Sequence, residues 1–404
     1  MPRKLHKLLL FLLLFTLPVA AFAAEAAEPF AAWLQTLRLE AKARGISEPT
    51  LQAALTDIQP IERVIELDRR QPEFTQTFLN YLNTRVTPER IARGRAMLKK
   101  YRVLLAQEYK KYRVPPRYLV AFWGLETNFG SYLGAFPVVP ALATLAYDER
   151  RSDFFRKELL DALVILDQGH VSVADMKGSW AGAMGNLQFL PSTFLKYSVD
   201  ANGDGKNDVW HTPADVIQSG GNYLQQLGWQ AEQLWGREVR LPAQFDWQQA
   251  RLAVKKSVAE WAALGVTRAN GTPLPRANRQ GAIVLPQGNE GPAFLVYDNF
   301  EVILRWNRSI SYSIAVGYLA DQMIGLPPLR NGLEVDNRPL SREQVMQLQQ
   351  ALQQQGIYQG PVDGVIGSQT RSAVRRYQIR AGLPVDGYAS LPLLQQLYAP
   401  VTKQ

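Results

Sequence analysis

Apolar positions recur every three or four residues over most of the first 325 positions. In PPRYLVAFWGLETNFG, residues 115–130, Leu119, Phe122, Trp123 and Glu126 fall at i, i+3, i+4 and i+7. That spacing puts all four on one helical face. Pro115 and Pro116 suit a helix start, where a missing N–H costs little. Asn128 and Gly130 suit its end. Glu126 therefore takes a place that a core residue would normally hold. The same period predicts helices over Glu89–Tyr112, Asp153–Asp167, Pro213–Leu227 and Asn307–Ile324. From Arg237 to Tyr297 the pattern changes. REVRLPAQFD, GAIVLPQG and PAFLVYDNF, broken by Pro and Gly, predict short strands and loops.

Residues 326–340 are proline-containing, lack periodicity and predict a linker. A small helical module follows. Val345, Leu348 and Leu352 share one face of a helix over Ser341–Gln355, which Gly356 stops. A second helix spans Ser368–Ala381, with Ser368 as N-cap and Gly382 as stop. A third begins near Ser390. The tetrapeptide PVDG occurs at 361–364 and again at 384–387, which suggests two related turns in which glycine takes a positive φ. The predicted class is mainly α: a large helical unit over 28–325 with a small β-containing insertion, then a three-helix domain over 341–400.

The first residues add a targeting signal. Arg3, Lys4 and Lys7 precede the apolar run Leu8–Phe15, and Ala21-Phe22-Ala23 fits a cleavage site, so 1–23 is read as a signal peptide cut near Ala23. No later segment is long and apolar enough to span a bilayer. The expected location is a bacterial periplasm, with no membrane anchor after cleavage. At 404 residues the chain is too long for one ordinary domain. The net charge of +9 falls to +6 without the three basic residues of the signal, which draws the protein to polyanions such as cell-wall polymers. Basic residues come only in short pairs, Lys99-Lys100 and Lys110-Lys111, so no nucleic-acid partner is expected.

Composition narrows the chemistry. There is no cysteine and only three histidines, so a thiol nucleophile or a zinc cluster cannot be assembled, and no G-x-S-x-G elbow is present. Carboxylates remain. Glu126, set among Trp and Phe, is poorly solvated. Its pKa should rise into the range of a general acid. KGSWAGAMGNLQFLPSTF, 177–194, is rich in Gly and Ala, which permits close backbone approach, and presents Gln188 beside Phe189. An amide next to a ring suits a sugar. DANGDGKND, 200–208, sets Asp200, Asn202 and Asp204 at alternate positions before Gly205, as in a calcium loop, but His211 stands where the usual closing Glu would be.

GLETNFG, AGAMGNLQFLPS, DANGDGKND with TPADVI, and RWNRSISYSIAV together resemble lytic murein transglycosylase B over about residues 28–325. LQQALQQQGIY, PVDGVIGSQT and AVRRYQIRAGLPVDG resemble a peptidoglycan-binding domain over 341–397. The resemblance implies a lysozyme-like fold in which Glu126 cleaves the β-1,4 bond between N-acetylmuramic acid and N-acetylglucosamine without water. Glu126 would act as acid and then base, leaving 1,6-anhydro ends, with no cofactor in the chemistry. It implies sugar contacts at Ser179, Met184, Gln188, Phe189, Tyr223, Trp306, Asn307, Tyr312 and, as a weaker match, Tyr81. Trp306 stands where the family often has tyrosine; stacking survives and the phenol does not. It also implies a structural calcium ion held by Asp200, Asn202, Asp204, the Lys206 carbonyl and Asp215. The implied partners are glycan strands, together with other enzymes of wall synthesis or remodelling. Two rival readings are a hydrolytic muramidase, for which Asp148 and Glu149 are the conceivable second acids, and a wall-binding scaffold without activity.

Overall fold

A computed structural model describes residues 28–70, 76–333 and 339–398. The expected signal peptide and residues 334–338 of the expected linker lie outside the described residues. Helices dominate the rest, with two small antiparallel sheets between them.

The helix Pro116–Thr127 runs through the middle of the main core. Every residue from Tyr118 to Leu125 is buried. A helix that is apolar all round must be surrounded, and here Pro88–Lys100, Arg102–Tyr112 and Ile310–Met323 pack along it. Its end is fixed sharply. Asn128, Phe129 and Gly130 all take positive φ, 50°, 61° and 77°. A phenylalanine in that region is strained. What holds it is packing: the Phe129 ring fills the space over Gly124, where an added Cβ would lie 2.7 Å from it.

Two predicted helices differ from expectation. The period over Glu89–Tyr112 belongs to two helices, Pro88–Lys100 and Arg102–Tyr112, separated at Tyr101. The Tyr101 ring packs 5.5 Å from Trp123 there, and the second helix turns to meet Pro213–Gln226. The period over Asn307–Ile324 also runs too far back. Asn307 ends the helix Asp298–Trp306, and the next helix starts at Ile310 because the Ser309 hydroxyl caps it by accepting from Tyr312 N at 3.2 Å.

The insertion is a five-stranded antiparallel sheet, in the order Lys256–Ser257, Gln280–Val284, Ala293–Val296, Gly236–Arg240, Thr267–Arg268. Ala282 pairs with Val296 and Val284 with Phe294. These four side chains enter the main core, while Ile283, Ala293 and Leu295 enter a second core around Trp261. Both faces are covered, which is why GAIV and AFLV read as unbroken apolar runs instead of alternating.

The C-terminal module has its own core, with Leu348, Leu352, Ala373 and Val374 at its centre. Its helices are Arg342–Gln354, Ser368–Arg380 and Leu391–Tyr398. Ser341 and Gln344 form a capping box on the first. Ser368 is not a cap as expected; it is the first helical residue, and the extended Gly367 before it takes the cap position. The two PVDG turns share one bond pattern. Gln349 donates to Asp363 at 2.9 Å and accepts from Gly364 N; Gln378 donates to Asp386 at 2.7 Å and accepts from Gly387 N. Asp386 also accepts from Asn289 N of the insertion at 2.8 Å, joining module to body.

Candidate active site

Glu126 lies one residue before the end of its helix, partly exposed while its neighbours are buried. Its Oε1 accepts two hydrogen bonds, from Trp306 Nε1 at 3.0 Å and from the Tyr312 hydroxyl. Its Oε2 has no protein donor among the described residues and is not among the buried orphaned atoms, so it is open to solvent. Burial pushes the Glu126 pKa up to about 7, and the Tyr312 and Trp306 hydrogen bonds and the Arg85 charge hold it back from rising further. No carboxylate is among the groups that set it. Such a group is half protonated near neutral pH and offers one free oxygen: it can give a proton and take one back.

The helix end that carries Glu126 is tied to the glycine-rich loop. Thr127 Oγ1 donates to Asn186 O at 2.8 Å, and Asn186 Oδ1 accepts from Trp123 Nε1 at 2.7 Å. The Asn186 amide nitrogen donates to Val209 O and Trp210 O. Loss of this buried network would orphan several groups at about 1–3 kcal/mol each. The loop itself is tight. A Cβ on Gly178 would lie 2.1 Å from Ala183 O, and one on Gly134 would lie 2.0 Å from Gly178 O. Gly178 belongs to the motif and Gly134 to the segment after the Glu126 helix, and both permit close approach.

The other expected sugar contacts differ in their placement. Trp306, Tyr223 and Phe189 form a ring cluster on Glu126's side, with centroids 4.9 Å apart for Tyr223–Trp306 and 5.4 Å for Phe189–Trp306; Phe122 closes it from below at 4.3 Å. Burial raises the Tyr81 pKa, the Arg85 charge opposes it, and the charge of nearby Glu126 adds to the rise. Arg85 sits 5.5 Å over the Tyr81 ring. Phe189 and Met184 are buried and joined by an antiparallel bridge. Ser179 and Gln188 are half-buried and partly committed: Ser179 Oγ accepts from Ala183 N at 3.1 Å, and Gln188, at φ 50°, donates to Leu133 O and Gly185 O. Asn307 is exposed, and its side chain bonds to no described residue.

Asp148 accepts from Arg69 at 3.1 Å and from Arg150 N. Neither it nor Glu149 is among the groups acting on Glu126. Sequence reasoning missed three functional features: Arg85, Asn186 and the indole N–H of Trp306 as a donor. Asn186 was the traceable one, a polar residue directly after the small-residue run AGAMG.

In the loop 200–208, Asp200 accepts from Gly203 N at 2.7 Å and Gly205 N at 2.8 Å, and Asp204 accepts from Lys206 N at 2.9 Å. Asp215 is buried and accepts from Ala201 N and Asp208 N. Its pKa is raised, first by burial and also by the charges of Asp200 and Asp204. Crowded oxygen-only donors of one charge fit a hard cation. Among the described residues, no three His, Cys, Asp or Glu converge to hold a metal by themselves, so the fit depends on Asn202 and backbone oxygen as well.

Comparison with known proteins follows this geometry. A family described as "Transglycosylase SLT domain" matches residues 29–321, and one described as "Putative peptidoglycan binding domain" matches residues 341–397. The chain is 30% identical over 290 residues to the Escherichia coli (strain K12) protein named "Membrane-bound lytic murein transglycosylase B", covering 68% of this chain and 78% of that one. It superposes on SltB3 from Pseudomonas aeruginosa, solved in complex with NAG-anhNAM-pentapeptide, with a TM-score of 0.88 and 44% identity over 91% of this chain and 99% of that one. The Escherichia coli Slt35 structure in complex with calcium gives a TM-score of 0.62 at 28% identity, covering 74% of this chain and 94% of that one.

Proposed function

The chain belongs to the transglycosylase SLT family and is a peptidoglycan lytic transglycosylase, and from that premise we propose that Glu126 alone carries its chemistry. The substrate is the β-1,4 bond between N-acetylmuramic acid and N-acetylglucosamine in a glycan strand. Glu126 Oε2 gives its proton to the glycosidic oxygen as the bond to the muramic C1 breaks. The resulting carboxylate takes the proton of the muramic C6 hydroxyl as that oxygen closes onto C1. The bond broken and the bond formed balance, no water is consumed, and a 1,6-anhydro end results. The two-carboxylate scheme of most glycosidases is not used.

The observation that carries this reading is Glu126 itself: a pKa of about 7, one oxygen held by two donors, the other open, and no second acid acting on it. The rings of Trp306, Tyr223 and Tyr81 supply stacking faces for sugars. Ser179, Gln188 and Asn307 supply polar contacts, and Met184 and Phe189 back the loop. Asp200, Asn202, Asp204, the Lys206 carbonyl and Asp215 would hold a structural calcium ion, which ties the loop and takes no part in the chemistry. The domain limits are 28–325 and 341–400, joined through 326–340, with the signal peptide removed near Ala23 in the periplasm. The C-terminal module tethers the enzyme to the wall and raises local substrate concentration; wall synthesis or remodelling enzymes are its protein partners.

Mass spectrometry of a peptidoglycan digest tests this. The expected products are muropeptides one water lighter than hydrolysis would give, and none with Glu126→Gln. Reducing muramic ends would mean a hydrolase. Wall binding without cleavage would mean a scaffold.

A further inference from the structure

A cavity of about 260 Å³ lies away from Glu126, between the sheet and the segment leaving the body. Asp321 and Tyr318, on the helix Ile310–Met323, line it. Asp321 is nine residues beyond Tyr312. At about 100° and 1.5 Å per residue, that is the opposite face of the helix and about 14 Å along it. The cavity is therefore separate from the site that Tyr312 serves.

Its roof is the stretch Leu326–Arg330, strapped down from both ends. Gln322 Nε2 donates to Leu326 O at 2.9 Å and to Pro327 O at 3.1 Å. Arg330 N and Asn331 N donate to Glu238 at 3.0 and 2.8 Å, and the Asn331 amide donates to Glu238 as well. The segment read from sequence as a free linker is thus docked on the strand Gly236–Arg240 over these residues.

The charges around the cavity are unevenly partnered. Its two acids are committed: Glu238 to the strap, and Asp321 to the Trp235 indole at 2.8 Å, with Arg117 at the 4.0 Å edge of an ion pair. Its three arginines are not. Among the described residues, the side chains of Arg237, Arg268 and Arg330 donate no hydrogen bond and make no ion pair; Arg237 has the Tyr297 ring at 5.9 Å and acts on Asp321 only through its charge. Arg237 is half-buried, and its Nε is buried without a partner. A buried guanidinium N–H without an acceptor is costly, and a further anionic oxygen would satisfy it. The remaining walls are apolar: the rings of Trp235, Phe294 and Tyr318, with Pro327 and Pro328.

We propose that this cavity binds the free carboxylate end of a peptidoglycan stem peptide. Arg237, Arg268 and Arg330 receive the carboxylate, and the aromatic walls receive the small side chains next to it. The planar fork of arginine matches a carboxylate. Aromatic and proline walls suit a peptide better than a bare phosphate. The inference rests on the peptidoglycan substrate proposed above, and a stem peptide is part of the ligand in the Pseudomonas aeruginosa relative's structure. The strap that roofs the cavity leads into the wall-binding module, so a peptide held there would lie on the path between the two domains.

The test is calorimetric titration of the full chain with the sugar-free tripeptide diacetyl-Lys-D-Ala-D-Ala and with its C-terminal amide. The acid should bind at least about tenfold more tightly than the amide, as loss of a charge-assisted bidentate contact requires. Arg237→Met should reproduce that loss. Arg268→Ala and Arg330→Ala, both at exposed positions where folding is not at stake, should each weaken binding several-fold. Glu126→Gln should bind normally. Equal affinity for acid and amide, or unchanged binding in both alanine variants, would overturn the site. Inorganic phosphate competing as strongly as the tripeptide would overturn its assignment to a peptide. Product analysis reads the transglycosylase reaction independently: anhydro products without tripeptide binding would sink this site alone, and binding without such products would sink the proposed reaction alone.

Discussion

Two glutamates of the helical body, Glu126 and Glu108, have surroundings that differ in an instructive way. Burial raises the pKa of both, Glu126 to about 7 and Glu108 to about 9. Glu108, on the helix Arg102–Tyr112, is fully buried, and neither of its carboxyl oxygens has a partner. It fits only because Gly221 faces it; a Cβ there would lie 2.4 Å from Glu108 Oε1. Desolvation acts on it without opposition, so it stays protonated and inaccessible. Glu126 feels the same force, but Trp306 and Tyr312 donate to its Oε1 and Arg85 adds positive charge. Those contacts favour the ionised form and bring the group back to the middle of the working range. Burial makes an acid weak; donors and one open oxygen make it usable.

Breaking the usable site has the largest expected effect. Glu126→Gln keeps the shape and the two donors but removes the proton, and should lower turnover on soluble glycans by at least about 10³-fold, with the folded state unchanged by circular dichroism. Tyr312→Phe removes one donor, leaves the packing, and should lower kcat/KM about 10–100-fold. Trp306→Phe keeps the ring beside Tyr223 and Phe122 and loses only the N–H, so a loss of about 3–10-fold in kcat/KM is expected. Glu108→Gln should leave activity within about twofold and change something else. The unfolded chain loses the Glu108 proton above the ordinary value of 4.5, while the folded chain keeps it to about 9. Its contribution to stability is thus full below the unfolded pKa and falls as pH rises across that window, by up to about 1.4 kcal/mol per pH unit. Urea unfolding at about pH 5 and about pH 8 should show a smaller decline for the variant than for the parent chain.

The sequence made one of these glutamates visible and hid the other for a physical reason. Glu126 stands out because Leu119, Phe122 and Trp123 share its face and its helix is apolar all round. Glu108 lies in RVLLAQEYKKY, where charged and polar residues surround it in sequence, and the Gly221 that packs against it lies more than a hundred positions away. The donors to Glu126 were expected as sugar contacts, not as the groups that set its acidity. They lie 180 and 186 positions from it, and no local period encodes such a pairing. The helical body and the three-helix module were legible from the helical repeat of their apolar positions, and the β insertion from short apolar runs broken by Pro and Gly. The docking of Leu326–Asn331 was not, because prolines and a lone glutamate carry no periodic signal.

The most direct measurement is the pH dependence of kcat/KM on a soluble glycan, for the parent chain and for Tyr312→Phe. Glu126 must be protonated to begin the reaction, so the parent's rate should fall as pH rises through about 7. The Tyr312 hydroxyl lowers that pKa, so its removal should carry the alkaline limb to higher pH as the rate drops. A limb near the ordinary carboxyl value, or one that stays in place in the variant, would contradict the view that these contacts tune Glu126 as the catalytic acid.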